Sequence, residues 1–231
     1  QTIANGVCPL KVVTAALHVH YVNQTSQYPC TDNVLQIILS SNVPLRNCAP
    51  HVTISGLDGT LTNSTTTLSV SIVKPAVSTT VAHWNESGVL TLNASSIVPT
   101  AACEVFAFSF EVKNPMQPRG KAIVTVALNG NLNFSIAPVV MTVPSTSSTW
   151  YRALPGIPTG VTIPTVESWR DPLFVVQAAF TTRVMGQTTP FPGASNSLSL
   201  TLASNVPLTT ECSTLRIINL EGACASAGSG P

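Results

Sequence analysis

A chain of 231 residues with a net charge of +1 and only 8% charged side chains is long enough for two domains of ordinary sandwich size. Its scattered Lys and Arg give no field to draw phosphate backbones or anionic lipid, which excludes nucleic acid as an expected partner. Mean hydropathy is +0.34, yet no run reaches the roughly 18 uninterrupted apolar residues of a membrane helix, so no membrane insertion is expected.

An average soluble domain carries about 25% charged residues. With far fewer here, solubility has to come from Ser, Thr and Asn, from attached sugar, or from burial of surface in an assembly. Sugar and assembly together are the expectation.

The chain opens at Gln1-Thr2-Ile3 without the basic region and apolar core of a signal peptide, and an N-terminal Gln suits a mature end left by signal removal. Residues 10–22 carry Val12, Val13, Ala15, Leu17, Val19 and Tyr21 at a near period of two, which predicts a strand with one buried face. A turn at Pro29 leads to a second strand over residues 35–39, ended by Asn42 and Pro44. A third, at residues 51–55, is closed by Gly56 and the Asp58-Gly59 turn.

Residues 62–67 read as an exposed Thr/Ser/Asn loop. Strands are predicted again at 68–73, 89–92, 104–112 and 122–128, with Asn129-Gly130 as a hairpin turn into residues 132–136. From Pro138 to Trp169 the Pro-separated pieces read as a link between modules. Beyond Asp171 the predicted strands are 174–185, 198–202 and 215–220, followed by a flexible Gly/Ser/Ala end. Short β runs at this spacing, with no helix-period segment, predict an all-β fold: two tandem immunoglobulin-like antiparallel β-sandwich domains. The expected layout is a first module over residues 1–143, a Pro-rich linker over 144–170, and a second, truncated module over 171–231.

The second module is recognised as a copy of the first. Ser41-Asn42-Val43-Pro44-Leu45 returns as Ser204-Asn205-Val206-Pro207-Leu208, and the same offset aligns Pro9-Leu10 with Pro172-Leu173, Val12-Val13 with Val175-Val176, Gln24-Thr25 with Gln187-Thr188 and Asn33 with Asn196. About twenty of some fifty positions are identical without a gap. The first copy runs on for roughly eighty residues beyond Gly59, whereas the second ends a few residues after Gly222. An isolated half sandwich exposes an apolar face and open strand edges. Three completions are open: the second domain closes on itself with strands from 145–170, it borrows a strand or face from another copy of the chain, or the chain continues beyond Pro231.

Six cysteines with no CxxC pair fit an oxidising compartment better than a zinc site. Cys8 and Cys30 are both absent from the second copy, which predicts that they pair. Cys48 with Cys103 and Cys212 with Cys224 complete the expected set. Five sequons stand at Asn23, Asn63, Asn85, Asn93 and Asn133, all in the first module, and predict N-linked glycan.

His18 and His20 are spaced to share a strand face and could form half a metal site, but no carboxylate or third imidazole accompanies them, so no metal is expected. The Asp residues are Asp32, Asp58 and Asp171, no Gly-x-Ser-x-Gly occurs, and Glu104 and Glu111 sit seven apart on one predicted strand, hence on opposite faces. No catalysis and no cofactor are expected. Trp84, Trp150, Trp169 and Tyr151 could stack on sugar rings, although separated aromatics in β domains usually serve as core.

The motifs Asp171-Pro172-Leu173, Ala178-Ala179-Phe180, Gly186-Gln187-Thr188-Thr189-Pro190-Phe191-Pro192-Gly193-Ala194, Asn196-Ser197-Leu198 and Ser204-Asn205-Val206-Pro207-Leu208, with Thr53-Ile54-Ser55-Gly56-Leu57-Asp58-Gly59-Thr60 and Phe108-Ser109-Phe110-Glu111-Val112-Lys113-Asn114-Pro115, carry a resemblance. Across residues 8–128 and 171–222 the chain resembles the β-sandwich repeat modules of algal and protist mastigoneme-like extracellular glycoproteins. That resemblance implies a glycosylated structural subunit of an extracellular, secreted filament whose partners are copies of itself. The expected function is head-to-tail polymerisation by β-strand complementation, the alternative being a secreted carbohydrate-binding or adhesion module.

Overall fold

The structure, a computed structural model, describes residues 12–144 and 170–220 apart from Ala76, Leu132 and Glu211. Strands β1 (Leu17–Gln24), β2 (Asp32–Ser41), β3 (His51–Ser55), β4 (Thr65–Lys74), β5 (Ser78–Asn85), β6 (Val89–Asn93), β7 (Val105–Lys113), β8 (Thr125–Asn129) and β9 (Ser135–Val140) form one antiparallel sheet of nine strands, ordered β1-β2-β7-β4-β5-β6-β3-β8-β9. Its two ends meet. Tyr21 bridges Thr142 in parallel, Val22 N–H donates to Thr142 O at 2.9 Å and Thr142 N–H to His20 O at 3.1 Å. The sheet thereby rolls into a sandwich-like body, and the all-β, antiparallel expectation is met.

Alternation builds the interior. Leu35, Ile37 and Leu39 of β2, Phe106, Phe108, Phe110 and Val112 of β7, Val52 and Ile54 of β3, Leu90 and Leu92 of β6, and Val126 and Leu128 of β8 share one buried cluster with Trp84. The pairing of β2 with β7 sets Leu35 against Phe110, Ile37 against Phe108 and Leu39 against Phe106. On the outer side of the same two strands Ile38 and Ala107 are buried under Val19, Tyr21, Val73 and Val105. The central strands therefore bury apolar side chains on both faces.

Glycine is required where the chain leaves β3: Gly56 has φ of 90°, and a Cβ there would lie 2.1 Å from Ile123 O. At the open end of the hairpin that β1 forms with β2, the repeated Ser-Asn-Val-Pro-Leu stretch acts as a stop. Asn42 Oδ1 accepts Ala16 N–H at 2.8 Å, its Nδ2 donates to Thr14 O at 2.9 Å, and its own N–H reaches Ala16 O. These bonds occupy the backbone groups on which the ladder would continue, so the expected strand over residues 10–22 begins only at Leu17.

Other departures have equally local causes. β4 starts at Thr65, inside the expected loop, because Thr65 pairs with Trp84 of β5. β5 itself is missing from the sequence reading: Ser78, Thr79 and His83 disguise a strand whose inward side chains are Ala82 and Trp84. The turn at Asn129-Gly130 widens to five residues, and β9 runs through Pro138, placed where the linker was expected. Pro138 is tolerated because β9 pairs only with β8 along this stretch and the ring faces solvent.

The chain re-enters at Arg170 and completes the first module before forming anything of its own. Leu173 is fully buried in the main core, Ala122 N–H donates to Pro172 O at 2.8 Å, Arg119 and Val175 exchange both backbone bonds, and Val176 N–H donates to Gln27 O. Gln24 Nε2 donates to Phe174 O at 3.0 Å. Two further strands, β10 (Phe180–Gln187) and β11 (Leu198–Ser204), pair antiparallel as a separate hairpin. Residues 215–220, expected as a strand, are not one. Their counterpart β3 is held between β6 and β8, and no such neighbours flank them among the described residues.

Because Leu173 fills space at the closed end of the first module, Leu173→Ala should destabilise that module by about 2–5 kcal/mol. Denaturant unfolding followed through Trp84 fluorescence checks it, and an unchanged midpoint would mean that residues 170–176 pack only loosely.

Candidate functional site

The feature that stands apart is the β10–β11 hairpin, because it reproduces the pairing and turn bonds of β1–β2 while lacking, among the described residues, its surroundings. Phe180 pairs with Ser204 as Leu17 pairs with Ser41, the register slips at the same place, and Gln187 meets Leu198 as Gln24 meets Leu35. Asn205 repeats the stop made by Asn42: its Oδ1 accepts Ala179 N–H at 2.7 Å and its Nδ2 donates to Gln177 O at 2.9 Å.

The tips match as well. Asn33 Oδ1 accepts the N–H groups of Thr25 and Ser26, each at 3.1 Å, and Asn196 Oδ1 accepts those of Thr188 and Thr189, each at 3.1 Å. Asn33 Nδ2 donates to Gln24 Oε1 at 3.0 Å and Asn196 Nδ2 to Gln187 Oε1 at 3.1 Å. Cys30 and Gly193, at equivalent places, both have positive φ. An Asn side chain that replaces a missing backbone partner fixes each turn without tertiary help.

Burial separates the copies. Val22, Leu35 and Ile37 are at most 1% exposed, whereas their counterparts Met185, Leu198 and Leu200 are 51%, 47% and 36% exposed; Leu39 is fully buried and its counterpart Leu202 half-buried. Leu215, Ile217 and Leu220, equivalent to the fully buried Val52, Ile54 and Leu57, also face solvent. The outer edge of β2 is taken by β7; the same edge of β11 has no strand beside it among the described residues. An exposed apolar face and, among the described residues, an open edge therefore lie side by side.

One disulfide joins Cys30 to Cys212, with Cα atoms 6.3 Å apart. This corrects the expected partners, since the turn following β11 returns to the β1–β2 tip and brings Cys212 there; Cys8 and Cys224 lie outside the described residues. Cys48 and Cys103 are free thiols rather than a pair. Cys103 N–H is tied to Ser41 O at the end of β2, while Cys48 lies beyond the following turn, its carbonyl held by Asn131 N–H.

Four sequon asparagines, Asn63, Asn85, Asn93 and Asn133, are exposed. Asn23 is 4% exposed and its Nδ2 donates to the buried Gln36 Oε1. His18 is exposed and contacts Ser40 Oγ, and His20 pairs with Leu39 across the ladder. Among the described residues no three His, Cys, Asp or Glu side chains gather as a metal site. Glu104 accepts Ala101 N–H at a loop and Glu111 is exposed on β7. Trp84 is wholly buried, its Nε1–H donating to Thr62 O, so it is core rather than a platform for sugar. Trp150, Tyr151 and Trp169 lie outside the described residues. A 310 Å³ hollow beside β4 and β5 is lined by Arg46, Ile72, Ser78 and Glu104 among others and brings together no further titratable group.

Comparison with protein-family models, curated proteins and solved structures finds no match to the chain.

Glycopeptide mass spectrometry of the chain expressed through a eukaryotic secretory pathway should find sugar on Asn63, Asn85, Asn93 and Asn133 and none on Asn23, whose buried amide leaves no room for one. A second mapping, without reduction, should return the peptides of Cys30 and Cys212 as one cross-linked species; a Cys8–Cys30 species would overturn the assignment.

Proposed function

We propose that this protein is a structural subunit of an extracellular glycoprotein filament, growing head to tail as one chain completes the second module of the next by β-strand complementation. The observation that carries the reading is the hairpin of β10 and β11, which keeps the pairing, turn bonds and apolar face of a buried hairpin with no strand laid upon it among the described residues. Exposed apolar strand faces next to open edges drive association, and strand addition satisfies both needs at once. On this reading the modules are tandem immunoglobulin-like sandwiches, the second completed from outside.

Secondary features point the same way. The scarcity of charge suits a chain whose surface is largely covered. The disulfide fits an oxidising, extracellular setting, and four exposed sequons would clothe the remaining surface with sugar. The contact is heterologous, between unlike ends, and such contacts form open filaments unless the rotation closes a ring.

Sedimentation velocity and electron microscopy of the glycosylated chain test this. Self-association should rise with concentration and give fibrils, and Leu200→Asp, which sets a charge in the completed seam, should weaken it by at least tenfold. A chain that stays monomeric at high concentration, with β10 and β11 protected from hydrogen exchange, would overturn the reading.

A further inference from the structure

The first module shows what covers a hairpin of this design, and one contact in that cover is chemically specific. Asn114, fully buried just past the end of β7, is gripped at both ends of its amide. Its Oδ1 accepts from Asn33 Nδ2 at 2.8 Å, and its Nδ2 donates to Ser26 O at 3.1 Å and Tyr28 O at 3.0 Å. The grip is fixed in register with the apolar seam, since Asn33 stands opposite Val112 and Leu35 opposite Phe110.

In the second hairpin all three gripping groups are present. Asn196 stands for Asn33, Thr189 for Ser26 and Phe191 for Tyr28. The turn is held in the same shape, with Phe191 N–H on Thr189 Oγ1 at 3.3 Å as Tyr28 N–H is on Ser26 Oγ at 3.3 Å. Ser197 N–H reaches Thr188 Oγ1 as Val34 N–H reaches Thr25 Oγ1. Asn196 Nδ2 has Gln187 Oε1 as its one acceptor among the described residues, whereas Asn33 Nδ2 has two. An amide nitrogen carries two N–H donors, so one remains for a ligand.

We infer that the β10–β11 tip is a preformed asparagine socket, and that the strand it takes up carries aromatic or large apolar residues at alternate positions ending, beyond a Val-Lys pair or its equivalent, in Asn. The occupant is an extended segment of another polypeptide with the chemistry of Val105–Asn114. It runs antiparallel to β11, with its aromatic side chains over Leu198, Leu200 and Leu202 and its Asn between Asn196 Nδ2 and the carbonyls of Thr189 and Phe191. Apolar burial supplies affinity in this arrangement. The Asn fixes register, because a shift by one residue would turn every aromatic side chain outward and leave the amide unpaired.

This rests on the reading that a strand from outside completes the second module, and the test separates the two. The probe is a peptide of residues 104–117 with lysines appended for solubility, added to the intact, disulfide-bonded chain. Calorimetry should show one site, with hydrogen-exchange protection arising at β11 and the 188–196 turn. Asn196→Asp in the chain keeps the oxygen that caps Thr188 and Thr189 but removes the donor, so the hairpin should persist while peptide affinity falls about tenfold or more. The peptide with Asn114→Asp should lose as much. Equal affinity for the Asn and Asp peptides, or protection confined to other residues, would overturn the socket. A chain that binds the peptide through Asn196 yet never self-associates would uphold the socket and refute the homopolymer. Fibrils that grow undiminished in Asn196→Asp would do the reverse.

Discussion

The pairing of β2 with β7 is the contact on which the rest of the module depends. It is the one ladder that joins the β1–β2 hairpin to the body of the sheet on its long side, and it brings Phe106, Phe108 and Phe110 over Leu39, Ile37 and Leu35. Everything else at that end follows from its register: Asn114 reaches Asn33 only because Val112 lies opposite it, and the closed end so formed receives Leu173. The comparison of the two copies isolates the role of this ladder. The local bonds of the hairpin persist without it, and burial does not.

That separation says which forces act at which level. Side-chain amides at the two ends of each hairpin, Asn42 and Asn33 in one and Asn205 and Asn196 in the other, fix turn shape and register through bonds between near neighbours along the ladder. They specify a shape without supplying much stability, since a lone two-stranded hairpin is marginal in water. Stability comes with apolar area, which a half module cannot bury by itself. The second hairpin is thus well specified in shape and, among the described residues, poorly buried.

Much of this was legible in the sequence, and the parts that were not failed for physical reasons. Identical turn formers and apolar positions at one offset disclosed the repeat, because a shared fold constrains those residue types most. Leu198 and Leu200 are exposed because, among the described residues, no strand takes the place beside β11 that β7 takes beside β2. Asn33 and Asn196 were visible as repeated letters, but nothing along the chain says that Asn114, 81 residues from Asn33, closes the grip; that needs the ladder. β5 escaped because its inward residues are few and its outward ones are Ser, Thr and His, and the Cys30–Cys212 bond escaped because pairing by repeat logic assumed that bridges stay within a module. The bond instead joins the β1–β2 tip to the segment that follows β11.

The spanning bond also gives the arrangement a direction. Cys30 lies at the tip of the first hairpin, whereas Cys212 follows β11 at the opposite end of the second, at the place that Ala49 holds in the first copy. The tip of the β1–β2 hairpin therefore meets the segment that follows β11, and residues 170–176 are inserted at that same tip. An interface between unlike ends can be repeated indefinitely, which an interface between like ends cannot. The covalent part of the joint does not repeat, for Gly193 replaces Cys30 at the second tip and Ala49 replaces Cys212 at the first base. Within a chain the joint is stapled. At the second tip the same scaffold carries hydrogen-bonding amides and an apolar seam but no cysteine, so a strand seated there, on the proposed reading, would be held without a covalent link.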